Sequence, residues 1–164
     1  MVKNHAKKQG YRRCPAFTMI ELIFVIVVLG ILSAIAIPRL AATRGDAYIT
    51  KGRSDVSAIR SGIALQRSRM MLEGNNSFPT NLDAVTANYG NSDQRLFNFS
   101  DGNVSNILEY PIFSQANRDG GWVKTGANAY AFRVDGVATA FTYTNTNGIF
   151  TCDANTANCN DLTR

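Results

Sequence analysis

The chain has 164 residues and a formal net charge of +5, a length that allows one domain plus an appendage. Such a charge suggests a nucleic-acid or anionic-lipid partner, but five basic residues precede Phe17 and the remainder holds twelve basic and twelve acidic residues. The only histidine, His5, also lies in that basic segment, which excludes Ser-His and Cys-His catalysis elsewhere, and no enzyme is expected.

An apolar segment follows the basic one. Residues 22–37 contain no charged side chain, and Glu21 stands at their start. A carboxylate inside a bilayer costs about 2.5 to 3.5 kcal/mol, so an acid in this position is expected to have a partner. Residues 17–38 supply roughly the 20 positions that a membrane-spanning helix requires. Pro38 is expected to kink the helix, because proline lacks a backbone donor.

A basic segment before an apolar one is typical of a secretion signal, a membrane anchor or both. Ala34-Ile35-Ala36 fits a signal-peptidase site, and cleavage after Ala36 would release a soluble secreted binding protein. Arg12-Arg13 would suit a twin-arginine signal, but the residues around it match poorly. Glu21 argues against a discarded signal, since a charge weakens the apolar part of such a peptide.

The segment Ala16-Phe17-Thr18-Met19-Ile20-Glu21-Leu22 resembles the type III signal of type IV pilins and type II secretion pseudopilins. Thr18, Glu21 and Pro38 match the family pattern, while Ala16 replaces the glycine that usually precedes the cut. The resemblance implies that a prepilin peptidase removes the leader, residues 1–16, by cutting between Ala16 and Phe17. It also implies that the new Phe17 amine is methylated, and that Glu21 pairs with the Phe17 amine of a neighbouring subunit.

The resemblance further implies a structural subunit that polymerises into a type II secretion filament or a related envelope filament. Its expected partners are the prepilin peptidase, copies of itself, other pilins or pseudopilins, the inner-membrane assembly platform and membrane lipid. The expected location is the inner membrane, with one span and a periplasmic C-terminal head, and later the filament. The alternative within the family is a type IV pilus or competence pilin that contacts DNA. Nucleic acid is otherwise not expected as a partner.

Residues 39–74 are predicted to continue the helix as an amphipathic stem, ending before Gly74-Asn75-Asn76. Residues 39–69 hold seven basic and two acidic residues, whereas residues 70–164 hold five basic and nine acidic ones. These charges are either ordinary solvated surface or the means by which stems of one subunit contact acids of another. The predicted apolar stripe has spacings of 7, 3, 4 and 7 and consists of Ile49, Val56, Ile59, Ile63 and Met70.

The C-terminal part is predicted to be a β-sheet. Residues 129–134 and 137–144 alternate in polarity around Asp135-Gly136, which predicts a two-residue hairpin, and residues 149–152 are a third strand. Residues 129–164 then form an antiparallel meander, and residues 75–128 connect it to the stem. The fold class is therefore α+β, a long N-terminal helix packed on a C-terminal antiparallel sheet, as in the pilin fold. One sheet face is predicted to collect Tyr130, Phe132, Val134, Val137, Phe141 and Tyr143, and the apolar anchors of the connecting region are Leu82, Leu96, Phe97, Phe99, Ile107, Leu108 and Phe113.

Cys152 and Cys159 close a short loop near the C-terminus. In an exported chain, such a pair predicts a disulfide; a zinc site fits less well, because no second cysteine pair exists. Major pseudopilins often bind calcium in a C-terminal loop, and Asp153 and Asp161 are the corresponding candidates here. Calcium usually takes six or more oxygen ligands, so we expect no resident metal or cofactor.

Overall fold

A computed structural model of the chain describes residues 17–98 and 107–164, except for the side chains of residues 38–42. The predicted leader and Phe99 lie outside these residues. The chain divides into two compact units, Met1–Leu40 and Ala41–Arg164.

The first helix, α1, extends over Met19–Leu72, within two residues of each predicted end. Its start is capped by Thr18, whose Oγ1 accepts a hydrogen bond from the Glu21 amide at 3.3 Å. This satisfies one of the free amides of the first turn. At the other end Gly74 adopts a left-handed φ of 84°, and the Asn75 amide donates to the Met70 carbonyl at 2.8 Å. This geometry is a Schellman motif, which explains why the helix stops at the predicted glycine.

Within the first unit, every residue from Phe17 to Ile37 is exposed. The segment therefore packs against nothing within that unit. An apolar helix without a covering surface needs lipid or another protein around it.

Within the second unit, α1 buries the predicted stripe. Val56, Ile59 and Ile63 are at most 2% exposed, and the stripe's two outer members are only partly buried. Gly52 adds close contact, since a Cβ there would lie 2.5 Å from atoms of both Phe132 and Leu162. The stripe joins the sheet residues in one hydrophobic core, which confirms the α+β packing.

Two short strands, β1 (Arg95–Leu96) and β2 (Ile112–Phe113), form a small antiparallel pair. The predicted anchor Phe113 is not buried, as half of its surface is exposed. It occupies the outward position of a two-residue strand, while Ile112 packs against the core. The prediction for Phe113 is therefore wrong. Of the other described anchors, Leu108 is partly buried and the remaining four are buried, namely Leu82, Leu96, Phe97 and Ile107.

The main sheet has four antiparallel strands in chain order: β3 (Trp122–Gly126), β4 (Ala129–Val134), β5 (Val137–Thr144) and β6 (Ile149–Cys152). The predicted hairpin register is confirmed, with Val134 opposite Val137. Asp135 and Gly136 have φ values of 47° and 79°, as a type I′ turn requires. The sheet begins earlier than residue 129, because β3 lies in the predicted connecting region.

The aromatic face of the sheet forms the centre of the core. Val137 departs from the prediction at 47% exposure, since it lies beside the turn, whereas Thr139 two residues later is fully buried. Thr139 donates its hydroxyl hydrogen to the Ala157 carbonyl at 2.7 Å, which allows burial of its polar group. Phe97 packs with five aromatic rings of the sheet, and neighbouring rings in this cluster have centroid distances of 4.7 to 6.0 Å. The five sheet rings are Trp122, Tyr130, Phe132, Phe141 and Phe150.

The chain ends in a short helix, α2 (Cys159–Thr163), joined to β6 by the Cys152–Cys159 disulfide. The disulfide predicted from the sequence is therefore present. Leu162 of α2 is fully buried and contacts the stem at Gly52. The bridge thus holds α2 beside β6, and Leu162 packs α2 against α1.

Candidate functional site

The N-terminal motif begins with an exposed, non-helical Phe17, 79% of whose surface is accessible. Glu21 is also exposed, in the first turn of α1. Because α1 starts at Met19, Phe17 lies outside the helix. A free α-amine at Phe17 exists only in a chain that has been cut before this residue.

The apolar segment Met19–Ile37, which overlaps the motif, has a mean hydropathy of 2.9 and is long and apolar enough to cross a membrane. None of it is buried within the structure. Pro38 lies within α1, but its side chain is outside the described residues, so its predicted kink stays a prediction. Ala16 is likewise outside the described residues.

A second candidate surface lies on the stem in the other unit. Arg53, Arg60 and Arg67, named here the arginine row, are spaced seven residues apart and so lie along one side of the helix. Arg53 donates to the Asp161 carbonyl from Nε and Nη2, at 3.0 and 2.8 Å. Arg60 Nε donates to the Phe150 carbonyl at 3.0 Å. These bonds attach the stem to the C-terminal strand and helix.

Arg67 completes the row differently. Its guanidinium lies over the Phe78 ring, 4.1 Å from the centroid, a cation–π arrangement. Its Nε is buried without a hydrogen-bond partner. Among the described residues, no member of the row forms an ion pair. The three positive charges are thus held in place by uncharged groups and keep their charge uncompensated.

Two open clefts lie along the row. One, of about 240 Å³, lies between Arg53 and Arg60 and is also lined by Ser57, Ser61 and Arg164. The other, of about 400 Å³, lies between Arg60 and Arg67. Guanidinium groups and hydroxyls in such a cleft are donors, which suits a carboxylate or phosphate ligand.

Other basic residues of the stem are used within the chain. Lys51 Nζ donates to the Gly120 carbonyl at 2.5 Å and lies 3.8 Å from the Asp55 carboxylate. Asp55 also accepts the Trp122 indole hydrogen at 3.0 Å. Burial raises the pKa of the Asp55 carboxyl, while the Trp122 hydrogen bond and the Lys51 charge lower it in part. This cluster supports the stem rather than offering a free surface.

The head contains a buried charged network. Lys124 Nζ donates to Asp83 Oδ1 at 2.5 Å and to the Val85 carbonyl at 2.7 Å, and the Tyr130 hydroxyl donates to Asp83 Oδ2 at 2.7 Å. Lys124 and Asp83 are each 1% exposed. Burial, followed by the charge of Asp83, raises the pKa of Tyr130. The network fastens the connecting region to the sheet.

The two calcium candidates lie in the C-terminal loop and in α2. Asp153 Oδ1 accepts hydrogen bonds from the Asn155 amide and side chain at 2.9 and 3.1 Å, while Asp161 contributes its backbone carbonyl to Arg53. Among the described residues, no group of three or more His, Cys, Asp or Glu is placed to hold a metal.

Comparison with known proteins addresses the N-terminal motif directly. The family described as the prokaryotic N-terminal methylation motif matches residues 11–37, which include the capped helix start, Glu21 and the exposed apolar segment. The chain therefore carries a prokaryotic N-terminal methylation motif, which is a prepilin-type signal. The motif is the part of this pilin-like chain that the sequence pattern identified first.

Two relatives are similar to part of this pilin-like chain. Type II secretion system core protein G of Pseudomonas aeruginosa is 32% identical over 56 residues, which cover 34% of this chain and 39% of that protein. Type II secretion system core protein G of Aeromonas hydrophila is 32% identical over 76 residues, which cover 46% of this chain and 50% of that protein. The chain thus spans half or less of the length of these relatives. No solved structure gives a significant match.

Three features of this pilin-like chain were not predicted. Thr18 was noted as part of the family pattern, yet its role as a helix cap was available from the spacing Thr18-x-x-Glu21, a capping-box sequence. The arginine row was counted among stem charges, and its seven-residue spacing was the signal for a single side. The Lys124–Asp83 pair had no such signal, because its members are 41 residues apart.

Proposed function

We propose that the chain is a pseudopilin-like structural subunit, without enzymatic activity, that polymerises into a type II secretion filament or a related envelope filament. The observation that carries this proposal is the prepilin-type motif joined directly to an apolar helix that nothing in its own unit covers. Such a helix is stored in lipid and later surrounded by neighbouring helices, which pack closely at small residues. Gly30 and Ala34 provide such positions.

Cleavage of the leader gives the motif the charged group that assembly requires. A prepilin peptidase cuts between Ala16 and Phe17, and the new amine is methylated. The amine is positively charged near neutral pH, since a free α-amino group has a pKa of about 7.7 to 8.0. Glu21 of one subunit pairs with the Phe17 amine of its neighbour, so each charge offsets the other's burial and fixes the docking register. The other partners are further pilin-like subunits and an inner-membrane assembly platform, and the head lies in the periplasm.

The rival is a soluble binding protein cut after Ala36. The Ala36–Ile37 bond lies inside α1, where it is not presented to a protease as an extended segment. A filament subunit retains the whole helix and so accounts for its continuous helical sequence. We also propose that the Cys152–Cys159 bridge, rather than calcium, holds the C-terminal loop.

N-terminal sequencing and intact mass of the mature protein test this function. The expected start is a methylated Phe17, whereas a start at Ile37 would overturn the proposal. A Glu21→Ala variant, compared with Glu21→Asp, tests the assembly step through the yield of sheared filaments. Glu21→Ala is expected to abolish filaments while leaving the protein in the membrane. Normal filaments from Glu21→Ala would remove the charge pair from the mechanism.

A further inference from the structure

The stem helix presents a second face that is separate from the one packed on the sheet. This exposed face consists of small side chains at alternating spacings of three and four, namely Ser54, Ser57, Ser61, Ala64 and Ser68, all of them exposed. A seam with this spacing keeps to one side of a helix over several turns, and small side chains allow another surface to approach closely. The seam alone does not indicate what approaches it.

The arginine row supplies the chemistry. It follows the edge of the small-residue seam, since Arg53, Arg60 and Arg67 each precede a serine of that seam. The hydrogen bonds to carbonyls and the Phe78 contact restrict these side chains without neutralising them. These arginine side chains are therefore already ordered in the folded chain, so binding of a partner loses less side-chain entropy.

The complementary charge lies on the head of the same chain. Residues 70–164 hold nine acidic residues, of which only Asp83 and Asp119 form ion pairs among the described residues. The described acids without an ion pair are all exposed; Glu73 lies at the end of the stem, and those of the head are Asp93, Glu109, Asp135, Asp153 and Asp161. One copy thus carries both halves of a charge-complementary contact.

We infer that the arginine row and its two clefts bind carboxylates from the head of a second copy of this chain. This inference rests on the proposed function and deepens it. A stem-to-head contact joins two different patches, so it is heterologous, and repeated heterologous contacts build open helical filaments. Phosphate groups would suit the same donors, but each further copy of the chain brings its own exposed acids to the assembly.

Photo-crosslinking of the full-length protein in its own membrane tests this contact. A benzoyl-phenylalanine at position 61 replaces Ser61, which lines the cleft between Arg53 and Arg60. The expected product is a covalent dimer whose partner peptide contains one of the five exposed acids of the head. Because a close interfacial charge pair contributes more than about 1.4 kcal/mol, its loss is expected to lower the dimer yield about tenfold or more.

Paired variants separate charge from structural support. Arg53→Gln with Arg60→Gln removes both charges but leaves a donor for the Asp161 and Phe150 carbonyls, so dimer yield is expected to fall. Arg53→Lys with Arg60→Lys keeps the charges, so the yield is expected to stay near that of the parent. Arg95→Gln, which removes an exposed arginine of the head, is the control and is expected to have no effect.

Equal yields from the glutamine pair and the parent would overturn the inference. Absence of a dimer, or crosslinking to lipid or nucleic acid instead, would overturn it as well. N-terminal sequencing of the same samples separates this failure from that of the proposed function. A methylated Phe17 without the dimer rejects only the stem-to-head contact, while an uncut chain or a start at Ile37 rejects the proposed function.

Discussion

Lys124 retains a charged group in the core of the head because its neighbours supply compensating atoms. The Asp83 carboxylate and the Val85 carbonyl accept its hydrogen bonds, and Tyr130 occupies the other carboxylate oxygen. A buried ion pair of this kind contributes little net stability but becomes costly once one partner is removed. Its value lies in fixing the connecting region to β3.

The Lys124–Asp83 pair can be tested by a double-mutant cycle. Lys124→Met leaves a buried carboxylate without its cation, which is expected to destabilise the fold by about 3 to 5 kcal/mol. Lys124→Met combined with Asp83→Asn is expected to be more stable than Lys124→Met alone, because the amide is neutral and still accepts from Tyr130. Fluorescence of Trp122, the only tryptophan, reports unfolding in denaturant. A double variant less stable than the single one would contradict this account.

The buried hydroxyl of Tyr143 is expected to make the stability of the fold depend on pH in the alkaline range. Its hydroxyl donates to the Pro79 carbonyl at 2.7 Å, and burial raises its pKa from 10.0 to about 12. The folded state therefore keeps the phenol neutral over a range in which the unfolded chain ionises. The free energy of unfolding is expected to fall as pH rises from about 10 through about 12, because the unfolded state then binds fewer protons.

The variant Tyr143→Phe tests this response. It is expected to lose about 1 kcal/mol at neutral pH with its hydrogen bond, and to show a shallower decline above about pH 10. Part of the decline in the free energy of unfolding is expected to remain in this variant, because the pKa of Tyr130 is also raised. Tyr110→Phe is the control, as Tyr110 is 80% exposed. Denaturant unfolding at a series of pH values measures both, and an unchanged slope in Tyr143→Phe would refute the assignment.

At the scale of elements, α1 could be predicted almost completely, because its apolar stripe, cap and terminal glycine are all local in sequence. The β4–β5 hairpin could also be predicted, because Asp135-Gly136 is a local turn sequence. Strand β3 was not, because Lys124 interrupts its apolar pattern and is buried only through Asp83, a residue from another segment. The arginine row shows the same limit, since sequence gives its charge and spacing but not the carbonyls that hold it.

The contact between α1 and the sheet depends on Gly52. A Cβ at this position would lie 2.5 Å from Phe132 and Leu162 atoms. We expect Gly52→Ala to destabilise the fold by about 1 kcal/mol, because overpacking of about 1 to 3 kcal/mol exceeds the helix-propensity gain of about 1 kcal/mol. Ser54→Ala, on the exposed face of the same helix, is the matched control and should gain a few tenths of a kcal/mol. Stabilisation by Gly52→Ala would show that the sheet can move away.

At the scale of the whole molecule, charge is distributed in three blocks. The first sixteen residues carry five basic residues and no acid, the stem is basic, and the head is acidic. Removal of the first block by the proposed processing leaves twelve basic and twelve acidic residues. The cut therefore removes the main attraction to polyanions while leaving the stem and head complementary to each other.

This distribution gives a test against a DNA-contacting pilin. If the five basic residues of the leader neutralise five phosphates, the affinity of the uncut chain for duplex DNA falls with salt at a logarithmic slope of about −4.5. The cut chain is expected to bind more weakly with a much flatter slope, because the arginine row is its remaining concentrated positive surface. Fluorescence anisotropy of labelled DNA across a salt series measures both forms. A steep slope in the cut chain, lost with Arg53→Gln and Arg60→Gln, would favour the DNA-contacting alternative over stem-to-head docking.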